Sequence, residues 1–155
     1  MILNTSLPKL ELLPSSDWQD YQLLDTGDGQ SLERVGPYRL VRDEPQAIWS
    51  KSLPQDAWKT ADGVMVSTRG EQGGFWKLKD TVKQPWVINY KGLKCEIRLT
   101  SSRHIGVFPE QASQWDWIGE QIRSAGRPMK VLNLFGYTGM ATTAAAKAGA
   151  SVTHV

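Results

Sequence analysis

Cysteine is nearly absent from this chain. Cys95 stands alone among 155 residues, which excludes an intrachain disulfide and a cysteine-based zinc site. Long apolar runs are missing too, and none approaches the ~20 residues needed to span a bilayer. The opening MILNTSLPKLELLPSS lacks both a basic start and a sustained apolar stretch, so it does not read as a secretory leader. Charge of one sign is not in excess: the formal net charge is +2. The first third is mildly acidic and the middle mildly basic, short of the dense basic face that marks a nucleic-acid footprint. These absences predict a soluble chain in reducing, cytoplasmic surroundings, with no metal centre.

What is present falls into two textures. From about Tyr21 to Ile105 the chain reads as short strands separated by turn residues. Tyr21–Leu24 leads into Gly27-Asp28-Gly29, and Leu32–Val35 and Tyr38–Val41 flank Gly36-Pro37. Val64–Ser67 and Phe75–Leu78 are separated by the polar stretch Arg69–Gly74, and Trp86–Tyr90 and Cys95–Leu99 bracket Lys91-Gly92. A short helix is expected at Pro54–Thr60. This pattern points to a small antiparallel sheet or open barrel. After Pro109 the period changes. Gln111–Ser124 places Ala112, Trp115, Ile118 and Ile122 near helical spacing, with Gly126 as the stop. Lys130–Leu134 reads as a buried strand, Met140–Ala148 as an alanine-rich helix closed by Gly149, and Ser151–Val155 as another strand. The expected organisation is α+β followed by α/β. A small, mainly antiparallel β domain (residues 1–105) leads into the start of a Rossmann-like fold (residues 106–155), truncated there.

The turn between that strand and helix is the most informative segment. A strand feeding a tight turn and a helix aims free N–H groups at the crevice above the strand ends, where ligands of doubly wound sheets bind. Dinucleotide turns need G-x-G-x-x-G. Here Gly136 and Gly139 are spaced G-x-x-G, with the bulky Phe135 and Tyr137 beside them. These rings argue against a pyrophosphate and fit a smaller, uncharged-to-cationic ligand. No G-x-x-x-x-G-K-[ST] is present, which argues against a nucleoside triphosphate.

VLNLFGYTG resembles motif I of class I S-adenosylmethionine-dependent methyltransferases, in the N-x-F-x-Y-T-G variant of the bacterial ribosomal-RNA large-subunit branch. On the general D/E-x-G-x-G-x-G pattern, Asn133 takes the acidic place, Phe135 and Tyr137 take the first two glycines, and Gly139 keeps the third. Upstream, His104-Ile105-Gly106-Val107-Phe108-Pro109-Glu110-Gln111 resembles the G-x-F-P-E-Q hallmark of the same branch. The stretch DTGDGQSLERVGPYRLVRDEPQAIW is similar to the N-terminal region of an uncharacterised subgroup. The resemblance runs from about Trp18 onward. It implies S-adenosyl-L-methionine as cofactor and RNA as acceptor. It also implies a cofactor site built from Phe108, Gln111, Asn133, Phe135, Gly136, Tyr137, Thr138 and Gly139. An acid for the ribose hydroxyls is expected about 20 residues after the glycine turn, just past Val155. The chain is therefore expected to be an N-terminal fragment without the catalytic part. Its catalytic residues are not identified.

Other readings weigh against particular residues. Phe108 has a core-aromatic alternative and Gln111 a helix-capping one. His104, on a strand, reads as simply hydrogen-bonded, and Cys95 as buried packing rather than a nucleophile. The competing function is a non-catalytic RNA-binding or dimerisation module. It rests on seven tryptophans, including Trp76, Trp86, Trp115 and Trp117, more than one small core needs. The alternation of aromatic and basic residues in Phe75–Lys79 reads either as a surface for single-stranded RNA or, preferred, as a two-sided strand with an aromatic inner face and a lysine outer face. A nicotinamide-dependent reductase is disfavoured by the missing glycine. Oligomeric state is left open.

Overall fold

Tight two-residue turns organise the first half of the chain. The computed structural model describes residues 12–67 and 73–155. Most of the opening segment and of the Arg69–Gly74 link therefore lie outside the described residues. Strands β1 (Tyr21–Gly27) and β2 (Gln30–Val35) are joined through Asp28-Gly29, with φ of 49° and 74°. Strands β6 (Trp86–Tyr90) and β7 (Leu93–Ile97) are joined through Lys91-Gly92, with φ of 47° and 79°. Two successive positive φ values are what a type I′ hairpin turn requires, so the glycine dipeptides fix these registers locally.

Strand order in the main sheet is β1-β2-β3-β4-β5, with β3 at Tyr38–Asp43, β4 at Gly63–Ser67 and β5 at Gly74–Leu78. The pairing is mainly antiparallel, as expected, with one exception: β3 and β4 run parallel. A parallel pair needs a crossover, and helix α1 (Gln55–Lys59) supplies it. The β6–β7 hairpin forms a separate two-stranded sheet, so no barrel closes among the described residues. Its second strand begins at Leu93, two residues before the expected Cys95.

The centre of the main sheet buries residues on both faces. Leu32 and Val41 pack with Trp58 and Ala61 on the α1 side. Val35 and Leu40 join the larger cluster on the other side, with Ile88, Tyr90 and Ile97 of the hairpin. That same cluster takes in Ala112 and Trp115 of helix α2 (Ala112–Ser124) and Met140 and Ala144 of helix α3 (Met140–Lys147). One apolar core thus runs from the sheet to the helices. Cys95 lies in it, 6% exposed, and burial pushes its thiol pKa up, which suits packing and not nucleophilic attack.

Beyond α2, strands β8 (Lys130–Asn133) and β9 (Ser151–His154) pair in parallel across α3. Alanine-rich α3 ends in a Schellman arrangement. Gly149 N–H donates to Ala146 O and Ala150 N–H to Ala145 O, with Gly149 at φ 102°. The expected buried strand at Lys130–Leu134 is corrected. β8 stops at Asn133, and Leu132 and Leu134 are 60% and 57% exposed. Helix α3 covers one face of β8, and no element among the described residues covers the other. The mixed sheets with their helices make an α/β fold.

Candidate functional site

The crevice above β8 is built by backbone that glycine would normally supply. Phe135, Tyr137 and Gly139 stand at φ 55°, 53° and 91°. A bulky residue in the left-handed region is an outlier, disfavoured by ~1–2 kcal/mol because Cβ crowds the carbonyl. Two such residues in a five-residue turn persist only where the surroundings over-determine them. Here the surroundings are specific. Gly136 N–H donates to Val155 O at 2.8 Å and Gly139 N–H to Gly136 O at 2.9 Å. Thr138 Oγ1 donates to Gly106 O at 2.6 Å, which fastens the turn to the loop carrying Phe108.

Gly136 is required for a different reason. A Cβ there would run into the imidazole of His154. His154 faces Asn133 across the β8–β9 pairing, and both reach Thr142 on α3. Asn133 Nδ2 donates to Thr142 Oγ1 at 2.8 Å, and Thr142 Oγ1 lies 2.8 Å from His154 Nδ1. This triangle locks strand, helix and turn together. Asn133 joins this triangle through its side-chain amide, which donates to the Thr142 hydroxyl.

A pocket of about 300 Å³ opens at this turn. Seven of the eight candidate residues line it: Phe108, Gln111, Asn133, Phe135, Gly136, Tyr137 and Thr138. Gly139 is not on its wall; it supplies the left-handed step into α3. Phe108 is half-buried and stands 4.8 Å from the Tyr137 ring, tilted by 38°. Gln111 precedes α2 without a side-chain capping bond, so capping does not explain it. Sequence reasoning missed Gln114, Met140 and Ala141 on the wall, and missed His154. For Gln114 the signal was available, one helical turn ahead of Ile118. Because α3 starts at Met140, the first amides of that helix have no partner within it, and Met140 and Ala141 border the pocket.

Two further expectations are corrected. His104 lies in the loop after β7, not on a strand, and its ring packs edge-on against Phe108. Burial, helped by Arg103 and Arg42, lowers its pKa. Of the four tryptophans named as interface candidates, Trp115 is buried and Trp76 and Trp86 pack against the core. Only Trp117 is exposed, at 58%. The aromatic and basic stretch Phe75–Lys79 is also not two clean faces, because Phe75 shares the outward side with Lys77.

A strand, a left-handed turn, a helix and a parallel return strand around an open crevice define the class: an α/β protein with a ligand site at a β–α turn. Comparison with known proteins narrows it. No family model matches the chain. A ribosomal RNA large subunit methyltransferase K/L from Shewanella loihica is 37% identical over 132 residues, covering 78% of this chain and 18% of that protein. The solved structure of a SAM-dependent methyltransferase from Agrobacterium tumefaciens is 43% identical with a TM-score of 0.83. That match covers 88% of this chain and 44% of that one. A structure from Streptococcus mutans assigned as a SAM-dependent methyltransferase is 19% identical with a TM-score of 0.62 over 90% of this chain and 39% of its own, and shows the fold alone. The chain spans less than half the length of each of these relatives. Over most of its own length the chain is similar to S-adenosylmethionine-dependent methyltransferases.

Proposed function

We propose that these residues form the cofactor side of an S-adenosylmethionine-dependent methyltransferase acting on RNA in the cytoplasm, as the opening half of a site completed by further chain. The observation that carries this reading is the left-handed backbone at Phe135, Tyr137 and Gly139. The glycine conformation of the general motif is kept although two of its glycines are not. The pocket fits the group in kind. It is near the lower end of small-ligand sites, its wall carries neutral amides and rings, and Phe135 on that wall is exposed. Among the described residues no helix is long and apolar enough to cross a membrane.

Phe135 to Gly139 would lie under the methionine portion of the ligand, with Phe108 and Gln111 approaching from the preceding loop. The ligand's chemistry is an activated sulfonium methyl, open to in-line attack by a nucleophile on the acceptor. The protein's share is positioning and the exclusion of water. The Thr138–Gly106 bond holds the two pocket-lining loops at a fixed separation. RNA as acceptor is supported by the name of the Shewanella relative. A start of a Rossmann-like domain from residue 106 is supported by the β8–α3–β9 unit.

Gly136→Ala tests the reading, since the new methyl group must displace His154 and open the Asn133–Thr142–His154 triangle. In calorimetric titration of the intact protein, S-adenosylmethionine binding should fall at least tenfold; unchanged affinity sinks the reading. The 155-residue chain alone should bind the cofactor far more weakly than the intact protein and transfer no methyl. Micromolar binding by this chain alone argues against a half site.

A further inference from the structure

None of the residues lining the pocket at the β8–α3 turn carries a charge. Its polar side-chain groups are the amides of Gln111, Gln114 and Asn133, the hydroxyls of Thr138 and Tyr137, and the indole N–H of Trp115, all uncharged. A positive ligand there finds no carboxylate on the wall. It does find two rings, Phe108 and Tyr137, with centroids 4.8 Å apart and planes inclined at 38°. Tyr137 is 50% exposed, so part of its ring is open to a ligand. Its position is held by a left-handed backbone at φ 53° and by the neighbouring Thr138 anchor to Gly106. The turn therefore accepts strain in order to place a ring where glycine would leave open space.

An aromatic face attracts a cation through its quadrupole, and paired rings are a recurrent device for onium groups. We infer that Phe108 and Tyr137 form an aromatic surface that selects the cationic sulfonium form of the ligand over its neutral thioether form. The inference rests on the cofactor reading given above and adds a reason for the rings. Methyl transfer leaves the electron pair of the broken S–C bond on sulfur, while the methyl group joins the acceptor and the acceptor's proton departs to solvent. The ligand thereby changes from cation to neutral thioether with almost the same shape. A wall of carboxylates would hold the charge but also repel the ligand's own carboxylate. Rings discriminate by charge at sulfur and leave the product more weakly held.

The test is titration of the intact protein with S-adenosylmethionine and S-adenosylhomocysteine, in wild type, Tyr137→Leu, Phe108→Leu and Tyr137→Phe. Each leucine variant should lose about twofold to fivefold more affinity for the sulfonium ligand than for the thioether, the scale of one exposed cation–π contact. Tyr137→Phe keeps the ring and should keep the ratio. The ratio is read within one variant, so partial loss of folded protein cancels. Equal losses for both ligands overturn the inference while leaving the cofactor reading intact. So does a wild-type protein that binds the two ligands equally, which needs no variant at all. Wild-type protein that binds neither ligand overturns the cofactor reading and this inference with it.

Discussion

Phe135 is the residue at which conformational cost and use are most plainly separated. Its ring is 97% exposed and its backbone is left-handed, so replacing it removes strain without emptying a core. Phe135→Gly should raise stability by about 0.5–1 kcal/mol, the relieved left-handed penalty less the entropy that glycine adds to the unfolded chain. Urea denaturation measures this, and a lowered midpoint would contradict it. The same variant should bind the cofactor less tightly, because the exposed ring is part of the pocket wall. Gly136 and Gly139 show why identity alone is a poor guide at this scale. One is glycine because an imidazole fills the space of a Cβ, the other because its φ is 91°. The sequence displays both as the same letter.

At the scale of elements, short pieces are held by polar anchors as much as by apolar contact. A bulge in β1 between Leu23 and Asp25 turns Asp25 toward α1. Its carboxylate accepts from Leu53 N–H at 2.8 Å, Ser52 N–H at 3.1 Å and Trp58 Nε1–H at 3.1 Å. Burial works to raise this carboxyl pKa, but the bonds from Leu53, Trp58, Thr26 and Ser52 outweigh it and hold the group below its ordinary value of 3.8. Asp25→Asn should cost about 1–3 kcal/mol, since the amide that replaces one oxygen cannot accept. The sign of the pH dependence follows from the depressed value. The stabilisation is complete above 3.8 and is lost as pH falls through the lower folded value. Thermal melts of wild type and variant should therefore differ by a constant amount at neutral pH and converge in strong acid. A gap that stays constant into strong acid would count against this role. The hairpin tip is pinned comparably. Lys91 bridges Asp17 and Asp116, each at 2.7 Å, and Lys147 donates to Lys91 O. Tyr90 donates to Asp116 at 2.6 Å, and burial together with that carboxylate pushes its pKa up to about 12.

For the molecule as a whole, protection should be uneven. The central strands β2 and β3 of the main sheet are covered on both sides. The β8–β9 pair is covered by α3 on one side and leaves Leu132 and Thr153 exposed. Hydrogen exchange of this 155-residue chain should show amides of β8 and β9 exchanging faster than those of β2 and β3; equal protection would contradict it. The sequence alone determined what depends on near neighbours. Hairpins at Asp28-Gly29 and Lys91-Gly92, the stop of α2 at Gly126 and the stop of α3 at Gly149 are each written in one or two residues, because their φ requirements are local. Seven residues of the pocket wall were legible for a related reason: they lie in two short stretches, 108–111 and 133–138. Tertiary structure alone decided the parallel β3–β4 pairing, the exposed face of β8, and the packing of His154 against Gly136. Each depends on which distant segment arrives beside a residue. That is set by the shared core joining sheet, hairpin and helices, and no local spacing encodes it.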